Sequence, residues 1–165
     1  MYTQTLCFIR RINELLMLNR EFAPAKGLWS GVGGKIKTNE MPLECVIREV
    51  QEETGIDISG FQIEFKGTVT WNVDNLYSGG MYVFLVDIPS DYLYPTPIKT
   101  DEGILDWKSI SWLLGEKNHG VGEMIPKYLP LVLNDSKKYE YRCVLINSKL
   151  VEFTYEELKK DKVQI

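Results

Sequence analysis

The chain has 165 residues, 44% of them apolar and 25% charged, with a formal net charge of −4. That length and apolar share suit one domain spanning residues 1–165, and 13 glycines and 7 prolines are too few for a disordered or collagen-like chain. The acidic balance excludes bulk attraction to nucleic acid or to anionic membranes, so a polyanionic substrate would have to be held by a cation.

TLCFI (5–9) and ELLML (14–18) are short apolar runs separated by RRIN, which predicts a hairpin. Arg10 and Arg11 follow the first run at once, an order that fits a strand and not a signal peptide, which starts with charge and stays apolar for longer. In AKGLWSGVGGKIK (25–37) four glycines predict a tight, specialised backbone. NEMPLECVIREVQEETG (39–55) predicts a helix with Asn39 as cap, Pro42 in the first turn and Gly55 as the stop. Leu43, Val46, Ile47 and Val50 fall at i, i+3, i+4 and i+7, the spacing of a buried stripe.

FQIEFKGTVTW (61–71) and GMYVFLVDI (80–88) read as two longer strands with a turn-like link, NVDNLYSG. SDYLYPTPIKTDEG (90–103) reads as a loop that delivers Asp101 and Glu102, and WKSISWLL (107–114) as a short element. EMIPKYLPLVL (123–133) predicts a second helix bounded or interrupted by Pro126 and Pro130. KYEYRCVLI (138–146) and LVEFTY (150–155) predict a terminal hairpin before a short charged tail. No segment approaches the ~18 uninterrupted apolar residues of a membrane span. Cys7, Cys45 and Cys143 are odd in number and match no zinc spacing, which points to a reduced, cytoplasmic setting. Mixed strands with a few helices indicate an α/β or α+β sandwich.

Glu49, Glu52 and Glu53 share about 100° of helical arc beside the apolar stripe. Like charges three or four residues apart cost roughly 0.2–0.5 kcal/mol per pair. A cation would relieve that repulsion, and an oxygen-only set without His or Cys suits Mg²⁺ or Mn²⁺. Taken alone, REVQEETG also fits a solvated acidic face.

The glycine loop and the spacing that follows it decide between these. From Gly33 the chain reads GGKIKTNEMPLECVIREVQEETGI, with five residues between Gly34 and Glu40, then seven residues before Arg48 and Glu49, and Glu52, Glu53, Gly55 and Ile56 in step. This resembles the Nudix box, G-x5-E-x7-R-E-U-x-E-E-x-G-U with U aliphatic, at every fixed position. The resemblance implies a Nudix-type α/β/α sandwich with a mixed sheet and a loop–helix–loop motif. It also implies hydrolysis of a nucleoside diphosphate linked to another group. It makes Glu49, Glu52 and Glu53 metal-binding and base-activating carboxylates, the Gly34 carbonyl a further ligand, and Arg48 the partner that orients a glutamate. Glu40 would hold the loop, and Glu102 is a candidate carboxylate from a later loop.

GLWSGVGGKI and the ending LPLVL…KKYEYRCVLINSKLVEFTYEEL resemble the MutT-like 8-oxo-dGTP diphosphatase branch. That likeness makes Arg20 and Lys35 candidates to grip the triphosphate and places Thr5 and Ser30 at a base pocket. Ser30 stands where the branch carries an asparagine, and Thr70 and Asn72 stand where it carries an aromatic pair. Trp29, Trp71, Trp107 and Trp112 are available to stack on a base, with Trp71 named as substrate-binding. His119 reads as a surface loop residue, and Cys45 as a small packing residue and not a ligand of a hard metal. The function implied is an Mg²⁺-dependent nucleoside triphosphate pyrophosphohydrolase. The alternatives are a Nudix hydrolase of another nucleoside diphosphate derivative or of an RNA 5′ end, and a non-catalytic nucleotide sensor.

Overall fold

The computed structural model describes residues 2–159 and 165, so residues 160–164 of the charged tail lie outside it. The strands are β1 (Gln4–Arg11), β2 (Glu14–Arg20), β3 (Trp29–Ser30), β4 (Ile63–Val73), β5 (Tyr77–Asp87), β6 (Ile98–Lys99), β7 (Gly103–Ser109), β8 (Tyr139–Ile146) and β9 (Lys149–Glu157). They form one mixed sheet in the order β6-β7-β2-β1-β5-β4-β8-β9, with β3 joined to β2. The pairs β1/β5 and β4/β8 are parallel, and the other pairs are antiparallel.

Successive side chains of a strand point to opposite faces, and β1 shows what this does. Cys7 and Ile9 join a core with Leu16, Leu18, Tyr82 and Phe84. Leu6 and Phe8 join a second core with Leu15, Met17, Val83 and Leu85 on the other face. Helix α1 (Pro42–Thr54) covers the first core with Val46 and Val50, both fully buried. Helix α3 (Ile125–Asn134) covers the second with Tyr128, Leu129 and Val132. The result is the expected α/β/α layering around a mixed sheet. Of the apolar stripe, Leu43 and Ile47 are half-buried, and Cys45 takes a fully buried place beside it.

Several local expectations shift. The N-cap of α1 is Met41, not Asn39, which sits in the left-handed region with φ 64°. Glu44 accepts a hydrogen bond from the Met41 N–H at 2.9 Å, and Gly55 closes the helix at φ 76°. The link NVDNLYSG is mostly strand: only Asp74, Asn75 and Leu76 turn, because Asp74 and Asn75 adopt positive φ. WKSISWLL divides between the end of β7 and the short helix α2 (Ile110–Leu113), whose first turn is capped by the Ser109 hydroxyl accepting from the Trp112 N–H.

Two cations from the sheet serve the C-terminal end of α3, where helix carbonyls lack intrahelical partners. Arg10 donates to the Leu133 carbonyl at 3.0 Å, and the buried Lys66 donates to the Asp135 carbonyl at 2.6 Å. Lys66 reaches it from the irregularity between Phe65 and Gly67 in β4. All three cysteines are free and buried. Among the described residues no helix is long and apolar enough to cross a membrane.

Candidate active site at the glycine loop and helix α1

The glycine loop is fastened to β1 by backbone hydrogen bonds. Cys7 and Val32 exchange two, at 2.7 and 3.0 Å, Thr5 N–H donates to the Gly34 carbonyl at 2.9 Å, and Ile36 N–H donates to the Thr3 carbonyl at 2.9 Å. Two glycines permit this approach. A Cβ at Gly33 would lie 2.2 Å from the Thr5 carbonyl oxygen, and one at Gly34 would lie 2.4 Å from the Glu49 carboxyl carbon. Gly34→Ala is therefore expected to drive the Glu49 carboxylate out of place and to lower kcat at least tenfold with little change in far-UV circular dichroism. Parallel kinetics and melting curves check it.

Arg48 is the hub of the helix. Its Nε and Nη2 bind both oxygens of Glu40, at 2.6 and 2.9 Å, in a bidentate pair. Its Nη1 reaches Glu49 at 2.7 Å and Glu52 at 3.0 Å, and its Nη2 also reaches the Lys35 carbonyl at 3.1 Å. Glu40 also accepts from the Lys37 N–H at 2.8 Å, so it ties the loop to the helix. The Arg48 guanidinium holds the Glu40 carboxyl down at about 2. This contribution to stability is present at neutral pH and is lost as pH falls from about 4.5 through about 2.

Glu53 differs. It accepts a hydrogen bond from the Gly33 N–H at 3.2 Å. Burial, with Glu49 and Glu102 as neighbouring negative charges, pushes its carboxyl up to about 7, against the opposing pull of the Gly33 N–H and Arg20. Arg20 pairs with Gly103 in the β2/β7 ladder, and the Glu102 carbonyl accepts from the Glu21 N–H at 2.9 Å. Those strand ends bring Arg20 and Glu102 beside the helix, close enough to act on Glu53.

The donor set was tested against a hard cation. Among the described residues no three His, Cys, Asp or Glu side chains already converge as a metal cage, because Arg48 holds one oxygen of Glu49 and one of Glu52. The other oxygens of those residues, with Glu53 and the Gly34 carbonyl, form an all-oxygen set. Burial first, and then the charge of Glu49, raises Glu53 there. That chemistry fits Mg²⁺ or Mn²⁺.

Other expected residues fall elsewhere. Thr5 is 3% exposed, and its hydroxyl contacts the Cys45 sulfur at 3.4 Å beneath α1, because odd positions of β1 face that helix. Ser30 pairs with Leu18 and is half-buried. The Lys35 side chain is exposed. Trp71 is half-buried over Gly79 on the α3 face of the sheet, opposite the acids, and Trp29 packs on that same face with the Lys108 ammonium 4.3 Å from its ring centre. Trp107 is committed to structure, with Arg11 stacked at 4.0 Å and its Nε1 donating to the Tyr94 carbonyl at 3.0 Å. Burial pushes the Cys45 thiol up to about 11, so it stays protonated at neutral pH. Sequence reading passed over Lys37, whose ammonium stands 3.7 Å from Glu52; its place in GGKIK was the available signal.

The NUDIX domain family profile matches residues 3–127. An uncharacterized Nudix hydrolase of Bacillus subtilis, YvcI, is 32% identical over 111 residues, which is 65% of this chain and 65% of that protein. An 8-oxo-dGTP diphosphatase of Proteus vulgaris is 48% identical over 33 residues, 20% of this chain and 30% of that one. The chain thus spans less than two thirds of the length of either curated relative. The crystal structure of a MutT protein from Bacillus halodurans superposes with a TM-score of 0.76 at 22% identity, covering 93% of this chain and 96% of that one, a likeness of fold. The profile covers most of the chain, signature included: the chain belongs to the NUDIX domain family.

Proposed function

We propose that the protein is a MutT-like nucleoside triphosphate pyrophosphohydrolase, a hydrolase of acid anhydrides that needs Mg²⁺ or Mn²⁺ and releases a nucleoside monophosphate and pyrophosphate. Oxidised deoxynucleotides such as 8-oxo-dGTP are its preferred substrates. The observation that carries the reading is geometric: Arg48 holds Glu49 and Glu52 while Glu53 accepts from the Gly33 N–H of the glycine loop.

The cation, when bound by Glu49, Glu52, Glu53 and the Gly34 carbonyl, would neutralise the pyrophosphate oxygens. Arg48 fixes Glu49 and Glu52 from behind. Of the three helix carboxylates Glu53 is the one that Arg48 does not hold, which leaves it to take a proton. Glu53 accepts the proton of the attacking water as the new O–P bond forms and the bridging P–O bond breaks. Arg20 and Lys35 face the phosphates, Glu102 adds a carboxylate to the cluster, and an indole on the α3 face, Trp71 or Trp29, stacks on the base. Ser30 and Thr5 are left out of base recognition.

The test is steady-state kinetics on normal and oxidised nucleoside triphosphates, ADP-ribose and capped dinucleotides, with Mg²⁺ and then with EDTA. Nucleoside monophosphate and pyrophosphate from a triphosphate, a lower KM for 8-oxo-dGTP than for dGTP, and loss of turnover in EDTA are expected. Turnover of none of the panel would favour a nucleotide-binding module instead. A second measurement needs no substrate. Saturating Mg²⁺ is expected to raise the Tm of the wild type, by about 2.7 kcal/mol of stability at a hundredfold excess over Kd, and to raise those of Glu52→Gln and Glu53→Gln far less. Equal shifts in all three would move the metal away from these residues.

A further inference from the structure

The last turn of α1 runs against the electrostatics of a helix. It carries Glu52 and Glu53 and no basic residue, so two carboxylates sit at the end where the helix dipole is already negative. The final carbonyls of a helix also lack intrahelical partners. Here the Gln51 carbonyl takes the Gly55 N–H at 2.9 Å. Thr54 uses its hydroxyl inside the turn, donating to the Val50 carbonyl at 2.7 Å and accepting from the Ile56 N–H at 3.0 Å. Its carbonyl, in a residue 9% exposed, needs a donor from outside the helix.

That donor is Tyr94, 40 residues on, whose hydroxyl reaches the Thr54 carbonyl at 2.7 Å. Among the described residues it is the one hydrogen bond between α1 and the segment 89–102. Tyr94 is held in turn. Trp107 Nε1 donates to the Tyr94 carbonyl at 3.0 Å, and the two rings meet edge-on with 6.4 Å between their centres. Arg11 stacks on that indole at 4.0 Å and donates to the Tyr92 carbonyl at 2.8 Å. Burial, and then Tyr92, raise the Tyr94 phenol, so it keeps its proton to donate.

The same segment ends on Glu102. The Glu102 N–H donates to the Thr100 hydroxyl at 3.2 Å, and the Thr100 N–H donates to the Gly103 carbonyl at 2.7 Å, which closes the turn. One part of the segment thus grips the turn that carries Glu53. Another presents Glu102 close enough to act on the Glu53 carboxyl.

We infer that Tyr94 is a positioning residue for the acid cluster: through the Thr54 carbonyl it holds the last turn of α1 against the segment that bears Glu102, and so sets where Glu53 stands. It touches neither metal nor substrate. This rests on the metal reading of the preceding section and deepens it. It also gives the Arg11–Trp107 stack a purpose beyond packing, since that stack fixes the backbone and the ring of Tyr94.

The experiment compares Tyr94→Phe with Tyr139→Phe. Each removes one tyrosine hydroxyl and keeps the ring; Tyr139 donates to Asp135 at 2.6 Å, beside the end of α3 in the other core. Measured for each are Mn²⁺ binding by electron paramagnetic resonance without nucleotide, melting curves, and steady-state kinetics on the substrate that the nucleotide panel identifies. Expected are falls of Tm in both variants. Well below Tm, only Tyr94→Phe should show kcat lowered roughly tenfold and Kd for Mn²⁺ raised roughly threefold, with KM unchanged. Trp107→Phe, which keeps the hydroxyl and loosens its support, should lower kcat roughly threefold, and the double variant should be no worse than Tyr94→Phe.

Wild-type kcat and Mn²⁺ affinity in Tyr94→Phe, or equal losses in Tyr139→Phe, make the bond a stability contact alone; they overturn the inference and leave the metal reading standing. Absence of Mn²⁺ binding to the wild type overturns both. Should Tyr94→Phe fail to fold, Trp107→Phe carries the comparison, and wild-type kcat there overturns the inference.

Discussion

Glu53→Gln is expected to lower kcat by about 10²- to 10⁴-fold while the Tm of the metal-free protein stays equal or rises. The two effects share one cause. In the folded chain the Glu53 carboxyl is raised to about 7, chiefly by burial and then by Glu49 and Glu102. In the unfolded chain it ionises near the ordinary value of about 4.5. An acid whose folded pKa is raised favours its neutral form in the native state. The native state therefore loses stability as pH rises from about 4.5 to beyond 7, by about 2 kcal/mol once solvent at the cleft is allowed for. Glutamine is neutral at every pH and removes that loss, and it also removes the group that takes the water's proton. Melting curves of both proteins from pH 5 to 8 should converge at the acid end and separate at the alkaline end, the variant melting higher. A variant that instead melts well below the wild type across the range would make Glu53 a structural acid.

Arg48→Lys is expected to be the most damaging conservative change in the helix. It should cost roughly 2 kcal/mol or more of stability and reduce activity to near background. The guanidinium satisfies both oxygens of Glu40, one of Glu49, one of Glu52 and the Lys35 carbonyl at once. An ammonium has one charged centre and cannot span that fork. Glu49 and Glu52 would then lose the contact that fixes them and crowd Glu53, with Lys37, 3.7 Å from Glu52, only a partial counter-charge. Because the repulsion is among carboxylates, saturating Mg²⁺ should restore part of the lost Tm, and lowering pH should restore part of it without metal. Denaturant melts at pH 5 and 7.5, with and without Mg²⁺, measure both. Full activity in Arg48→Lys would mean that the glutamates hold their places unaided.

The helix that carries the acids was legible because its signals are local. Pro42 at the start, Gly55 at the stop and the Val46/Val50 stripe all lie within 14 residues of one another. The N-cap was misread because Glu40 has a stronger partner than a helix end: its pairing with Arg48 and the Lys37 N–H folds 37–40 into a turn, which leaves Asn39 left-handed. The apolar runs left α/β and α+β open and the resemblance to the Nudix box chose the sandwich, but strand ends in β4 and β5 did not follow, because Asp74 and Asn75 make the turn tighter than their neighbours advertise. Arg20 and Glu102 reach Glu53 only through the β2/β7 ladder, a pairing across more than eighty residues. The buried Lys66 at the Asp135 carbonyl is invisible for the same reason. The side that Thr5 faces is a matter of parity: its hydroxyl meets Cys45 of α1, and its neighbour Leu6, one position on, faces the opposite side.

That parity reaches further than one residue. Along β1 the odd positions underpin the acid-bearing helix and the even ones support the side that carries Trp29 and Trp71, so a single strand braces both layers of the domain through alternate teeth. Inserting one amino acid at mid-strand would send Cys7 and Ile9 to the wrong layer together with Phe8, and the packing of both layers would fail in the same stroke. The same insertion at Ile12–Asn13, outside the ladder, leaves both phases intact. Lineages derived from this scaffold are thus free to lengthen that bend and are barred from lengthening the strand before it.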